Sequence, residues 1–168
     1  MTADSSDPSI DGGDFRNVLG HFPTGVTVVT ASGAERPIGV AIGSFASVSL
    51  DPPLVGFFLG TNSGSWPPME EAGHFCVNIL RADQLELCGV MASKSDDKFA
   101  GVETTPAPWS GAPVLPGVLG MIDCRLEQVV AAGDHNLIMG RVMHLEASEA
   151  DGAGPMVFYR GQYGTFGS

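Results

Sequence analysis

Between Gly39 and Ser49 the sequence GVAIGSFASVS places two glycines and three serine hydroxyls in a stretch without a single charge. Gly39 and Gly43 leave space for something flat to lie against an extended backbone, and Ser44, Ser47 and Ser49 offer it neutral hydrogen bonds. The competing reading is a strand whose serines face solvent or satisfy their own backbone. A second set of residues suits an anion. Ser65, close to Ser63 and Trp66, stands where a helix would begin, and a hydroxyl with free N–H groups there favours a phosphate; a plain helix cap is the alternative. Ser93-Lys94, followed by Asp97-Lys98-Phe99, holds two of the chain's eight Lys and Arg residues, as a phosphate contact or as a solvated loop. Gly133-Asp134-His135 forms a bend whose imidazole either meets a ligand or stabilises the turn.

Other chemistries find no support. The four histidines, His21, His74, His135 and His144, have no ligand-like spacing with one another or with cysteine, so no metal is expected. No G-x-S-x-G, Walker A or H-E-x-x-H motif is present, and no G-x-G-x-x-G follows a strand to open a helix. A formal charge of -11 argues against binding nucleic acid or an anionic membrane surface. A phosphorylated ligand would need a local device of hydroxyls, backbone N–H groups and one or two lysines. Cys76, Cys88 and Cys124 each sit among apolar residues and are expected as buried reduced thiols. The longest uncharged apolar run, Pro53 to Leu59, is far short of the roughly 20 residues that span a bilayer, so a soluble, cytoplasmic protein is expected.

The elements that must position these residues are mostly strands. At 168 residues the chain fits one domain, expected over residues 14–168 after a disordered tail, 1–13, with structure beginning near Phe15. Gly25–Ala31 and Pro37–Val48 read as a hairpin around the turn Ser32–Arg36, and Asp51-Pro52-Pro53 then breaks the chain. Leu54–Leu59 and Phe75–Leu80 are apolar strands. Between them a short helix follows Ser65 and stops at Gly73, and a second helix is expected over Ala82–Met91, with Leu85, Leu87 and Val90 as its apolar positions. From Met121 to Val130 the charges of Asp123, Arg125 and Glu127 alternate with Ile122, Cys124 and Leu126, as in a strand with one wet face. Leu137–Leu145 and Pro155–Tyr159 complete a mainly β chain, favouring a closed or nearly closed antiparallel barrel.

The run Phe15–Gly20, then Phe22–Thr30 (FPTGVTVVT), then Ser44–Val55 (SFASVSLDPPLV) resembles the short-chain flavin:NAD(P)H reductases, the reductase components of two-component flavin monooxygenases. The likeness continues through Phe75–Leu80 (FCVNIL), Asp97–Gly101 (DKFAG), Gly133–His135 (GDH) and Phe158–Tyr163 (FYRGQY), covering residues 15–166 in order. The resemblance implies a split β-barrel flavin-binding fold with a few short helices, paired into a homodimer with flavin near the subunit interface. It implies that Val40, Ala41, Ile42, Gly43 and Ser44 run along the ring edge of FMN or FAD, and that Ala46 and Ser47 continue toward the ribityl chain and phosphate. Ser63, Ser65 and Trp66 would lie beside the flavin, with Ser93 and Lys94 on its phosphate side. His135 would meet the nicotinamide of NADH or NADPH as the one catalytic candidate, with Tyr159, Arg160 and Tyr163 on the same side, though Tyr159 also suits a core. Many relatives have Thr where Ala41 stands and Asn or Ser where Gly43 stands, so backbone contacts would hold the ring here. The implied activity is hydride transfer from NAD(P)H to flavin, with reduced flavin passed to a partner monooxygenase. The alternatives are a flavoprotein of this fold that retains its flavin or a deazaflavin for another substrate, and a flavin-binding carrier without turnover.

Overall fold

A computed structural model of the protein describes residues 8–148 and 154–166. Its first helix, α1 (Gly12–Leu19), starts inside the expected tail because Asp11 caps it, accepting from the N–H groups of Gly13 at 2.7 Å and Asp14 at 3.1 Å. Residues 1–7 of that expected tail lie outside the described residues. Twelve strands and two further helices follow: β1 (Thr24–Gly25), β2 (Thr27–Ser32), β3 (Pro37–Ile42), β4 (Ala46–Leu50), β5 (Pro53–Gly60), α2 (Trp66–Ala72), β6 (His74–Ile79), α3 (Leu85–Ala92), β7 (Thr105–Pro106), β8 (Pro113–Val114), β9 (Gly120–Ala132), β10 (His135–Ala147), β11 (Met156–Tyr159) and β12 (Gln162–Thr165). The chain is mainly β with three helices among the described residues, as expected. None of these helices is long and apolar enough to cross a membrane.

Seven strands form one antiparallel sheet in the order β3-β2-β6-β9-β10-β5-β4. The hairpin of β2 and β3 is present, but the extended run expected to reach Val48 ends at Ile42, and β4 lies on the opposite edge of the sheet. Only residues 43–45 join those edges, and a chain covers at most about 3.5 Å per residue. The sheet is therefore curled until its edges face each other. No ladder closes β3 onto β4 among the described residues, so of the closed or nearly closed barrel expected, the closed form is not found. The Ser44 hydroxyl fastens the link to β5, accepting from the Phe58 N–H at 2.9 Å and donating to the Phe58 carbonyl at 3.1 Å.

Inside the curl, Val29, Phe57, Phe75, Val77, Cys124 and Ile138 form the main core, with Phe57 and Phe75 edge to face at 5.3 Å. A second cluster, including Val28, Leu80, Cys88, Met91, Leu115 and Met156, packs α3 against the chain. The helix starts three residues later than expected and buries Cys88 and Met91, leaving Leu85 and Val90 exposed. All three cysteines are free and buried; burial, reinforced by the charge of Asp123, pushes the Cys76 thiol up to about 12.

Two expectations fail for clear reasons. Asp123 is not on a wet face: it is fully buried, because the segment carrying β7 and β8 covers that side of β9, and its carboxylate accepts from the N–H groups of Trp109 and Ser110. The C-terminal region contains an additional strand, β12, which pairs with β11 in a three-stranded sheet with β1. Arg160 and Gly161 make that hairpin turn, with φ values of 50° and 77°, the left-handed pair that a tight two-residue turn requires.

Candidate active site

Three elements distant in sequence meet around a cleft of about 580 Å³, within the roughly 300–1,000 Å³ usual for small-molecule sites. The edge strand β3 supplies Ile38 to Ala41, the loop from β5 into α2 supplies Asn62 to Ser65, and the end of α3 with its following loop supplies Met91 to Asp96 and Lys98. One wall is thus uncharged strand backbone and another is polar and cationic.

Lys98 sets the spacing between two of these elements. Its ammonium donates to the carbonyls of Gly39 and Met91, each at 2.9 Å, so it satisfies a free carbonyl near the end of α3 while tying that helix to β3. Burial holds the ammonium below the ordinary lysine range. Gly39 makes the approach feasible: a Cβ there would stand 2.7 Å from the Met91 sulfur and 3.1 Å from the Phe99 ring. Its missing side chain therefore admits the protein's own helix and ring, not a flat ligand.

Ser93 closes α3, donating to the Val90 carbonyl at 2.7 Å and accepting from the Ser95 N–H at 3.2 Å. Lys94, next in the chain, is exposed and pairs with no carboxylate among the described residues. Ser65 occupies the cap position of α2 without a side-chain capping bond, which leaves its hydroxyl uncommitted at the cleft. The expected cluster of free N–H groups is absent: Pro67 and Pro68 have none, and the Trp66 N–H donates to the Ser63 carbonyl at 3.2 Å.

Of the residues singled out in the sequence, the fold brings Val40, Ala41, Ser63, Ser65, Ser93 and Lys94 to the cleft. The others lie elsewhere. Ile42 and Trp66 are buried in the core, while Gly43, Ser44, Ala46 and Ser47 run exposed along the link and β4. His135 opens β10 at the hairpin tip, where Gly133 takes the positive φ of the two-residue turn. Its Nδ1 lies 2.7 Å from the Asp134 carboxylate, and this contact holds that carboxyl below the usual range. The Asp134 carbonyl in turn accepts from the N–H and hydroxyl of Thr61, at 3.0 and 3.2 Å. The tip is thus anchored one residue before the loop that lines the cleft. Tyr159, Arg160 and Tyr163 belong to the small sheet and its turn, where the Tyr163 ring lies tilted against Phe158 with centroids 5.1 Å apart. Arg36, Asn62, Gly64 and Asp96 also line the cleft. Nothing in their local sequence distinguished them from turn residues, whereas Lys98 was visible in its Asp-Lys-Phe context.

Comparison with known proteins gives this arrangement its context. The family model described as "Flavin reductase like domain" matches residues 19–167. The chain is 47% identical over 159 residues to a flavin reductase from Pseudomonas putida, covering 94% of this chain and 92% of that protein. It is also 47% identical over 155 residues to the reductase subunit of a flavin-dependent monooxygenase from Rhodococcus jostii, covering 92% and 78% of the two chains. Among solved structures, component B of a nitrilotriacetate monooxygenase from Mycobacterium thermoresistibile superposes with a TM-score of 0.89 at 41% identity, covering 92% of this chain and 86% of that one.

Proposed function

The chain belongs to the flavin reductase like domain family, and from that premise we propose that it is an oxidoreductase that reduces FMN or FAD with NADH or NADPH and supplies the reduced flavin to a partner monooxygenase. The observation that carries this reading is the cleft itself. Its neutral β3 wall and uncommitted Lys94 suit a flat ring bearing a phosphate, in a chain that matches flavin reductases over nearly its whole length. Flavin supplies the hydride acceptor, so the protein's task is to place two ring systems face to face. Val40 and Ala41 present backbone to the ring edge, Ser63 and Ser65 supply hydroxyls, and Lys94 fixes the phosphate. Gly43, Ser44, Ala46 and Ser47, exposed outside the cleft, meet the flavin where a second copy of the chain completes the site.

That second copy is part of the proposal: the protein is a cytoplasmic homodimer of split-barrel subunits. Helix α1 buries none of its residues, and Phe15, Val18, Leu19 and Phe22 are more than half exposed, beside a nearly bare Leu50 elsewhere on the surface. Such apolar exposure is more than an isolated soluble chain usually carries. Light scattering should report a dimer at micromolar concentration; a monomer would contradict the arrangement.

Steady-state oxidation of NADH and NADPH, with FMN and FAD varied as substrates, tests the activity. Turnover that saturates in added flavin supports an exchangeable substrate, whereas flavin retained through gel filtration with no response to added flavin contradicts it. Lys94→Ala should weaken flavin binding about tenfold, because a charge-assisted phosphate contact contributes about 1.5 kcal/mol or more. An unchanged flavin titration would return Lys94 to the solvent.

His135 is assigned to the nicotinamide side, reaching it from the hairpin tip anchored at Thr61. His135→Ala should raise the KM for NAD(P)H roughly fivefold, the effect of about one hydrogen bond, with the melting temperature nearly unchanged. Lost stability with a normal KM would make it a turn residue only.

A further inference from the structure

Adjoining the main cleft is a shallow lobe of about 250 Å³ lined by Arg36, Pro37, Asp96, Asp97, Lys98 and Phe99. Together with Pro37 and Lys98, the residues Arg36 and Asp96 line both spaces. They are joined by an ion pair of 2.8 Å between the turn of the β2–β3 hairpin and the loop after α3, so this pair stands at the boundary between cleft and lobe. Building on the flavin-reductase reading, we propose that the lobe takes the adenosine-phosphate half of a dinucleotide, with Arg36 as its phosphate ligand and Asp96 as the carboxylate that the phosphate displaces.

The cations of the cleft divide the work. Lys98 is committed to two carbonyls, and Lys94 is the unpaired charge available to a first phosphate. A second phosphate must therefore draw on Arg36. Both partners of the ion pair are largely exposed, at 58% and 83%, and a pair in that setting is weak enough to exchange. The pair rests on one contact, from Arg36 Nη2 to Asp96 Oδ1, whereas a phosphate offers the guanidinium a two-pronged geometry with more charge. In the lobe, Pro37 and the half-buried Phe99 provide apolar faces for a base. A mononucleotide such as FMN would leave the pair intact; FAD or NAD(P)H would open it.

Two substitutions that break the same ion pair should therefore act with opposite sign. In the full chain, fluorescence titration with FMN and FAD gives the ratio of their dissociation constants, and kinetics give the KM for NADH and NADPH. Arg36→Ala should shift the FAD-to-FMN ratio against FAD about fivefold, and Asp96→Asn should shift it toward FAD about threefold, both effects shrinking with added salt. If the nicotinamide KM moves in this opposed manner while the flavin ratio stays fixed, the lobe serves the nicotinamide dinucleotide. Thermal melts of both variants check the fold. Shifts of equal sign in both variants, or none, would reduce the pair to a structural clasp and overturn the proposal. Wild-type protein that binds neither flavin would instead overturn the reading on which it rests.

Discussion

Asp123→Ala is expected to remove about 3–4 kcal/mol of stability, lowering the melting temperature by roughly 10 °C in a chain of this size. The carboxylate is fully buried and accepts from the Trp109 N–H at 2.8 Å, the Ser110 N–H at 2.9 Å and the Ser110 hydroxyl at 2.5 Å. Deleting it leaves three donors without an acceptor, each costing about 1–3 kcal/mol where water cannot reach. Partial exposure of the Trp109 loop keeps the total below the full sum. Release of a desolvated charge offsets part of the loss, but the existing bonds already stabilise that charge. The loop held by Asp123 closes a small cluster of Cys76, Ala107, Ala112 and Met121, away from the residues that line the cleft. The variant should melt early yet keep a normal KM for flavin while folded. A loss below about 1 kcal/mol would show that the donors find water in the folded state.

Gly140→Ala should cost about 2–3 kcal/mol although it adds one methyl group. A Cβ at Gly140 would collide with the Phe75 ring and stand 2.8 Å from the Cβ of Cys124. Phe75 is fully buried and held edge-on by Phe57, so it cannot swing aside. Gly140 also sits at a register shift between β9 and β10, where the bulged backbone brings the strand against the ring. Gly89→Ala is the control. It lies within α3 with open space where its Cβ would stand, so the same change should be neutral or stabilise by up to about 1 kcal/mol. Denaturant melts of the two variants should separate by at least 2 kcal/mol; equal stabilities would mean that the core yields at Phe75.

The parts of this molecule legible in the sequence are those where local pattern and tertiary environment agree. The β-branched run before Ser32, the apolar runs Leu54–Leu59 and Phe75–Leu80, the two-residue turn at Gly133, and the proline-rich helix ended by Gly73 in the left-handed conformation all form near their expected places. Asp123 was misplaced because alternation reports which residues share a face and not whether a distant loop covers it. Strand β12 was missed because Gln162–Thr165 is short and exposed along its length. The link after Ile42 looked like continuous strand, since nothing local shows that the next residues cross to the far edge of a curled sheet. The cleft was half legible. Ser63, Ser65 and Lys94 were marked by type, but Arg36 and Asp96 acquire meaning only from the folding that brings residues 60 positions apart to within 2.8 Å. Trp66 looked like a ligand contact and is core, because α2 turns its first residue inward.

Hydride transfer to an exchangeable flavin is tested by a single-turnover experiment without oxygen: purified protein mixed with limiting NADH or NADPH and an excess of FMN or FAD. Nicotinamide should be oxidised and flavin bleached one for one, and the reduced flavin should pass through a membrane that retains the protein. Nicotinamide that stays reduced in the presence of both flavins, or reduced flavin that remains with the protein, would contradict such transfer.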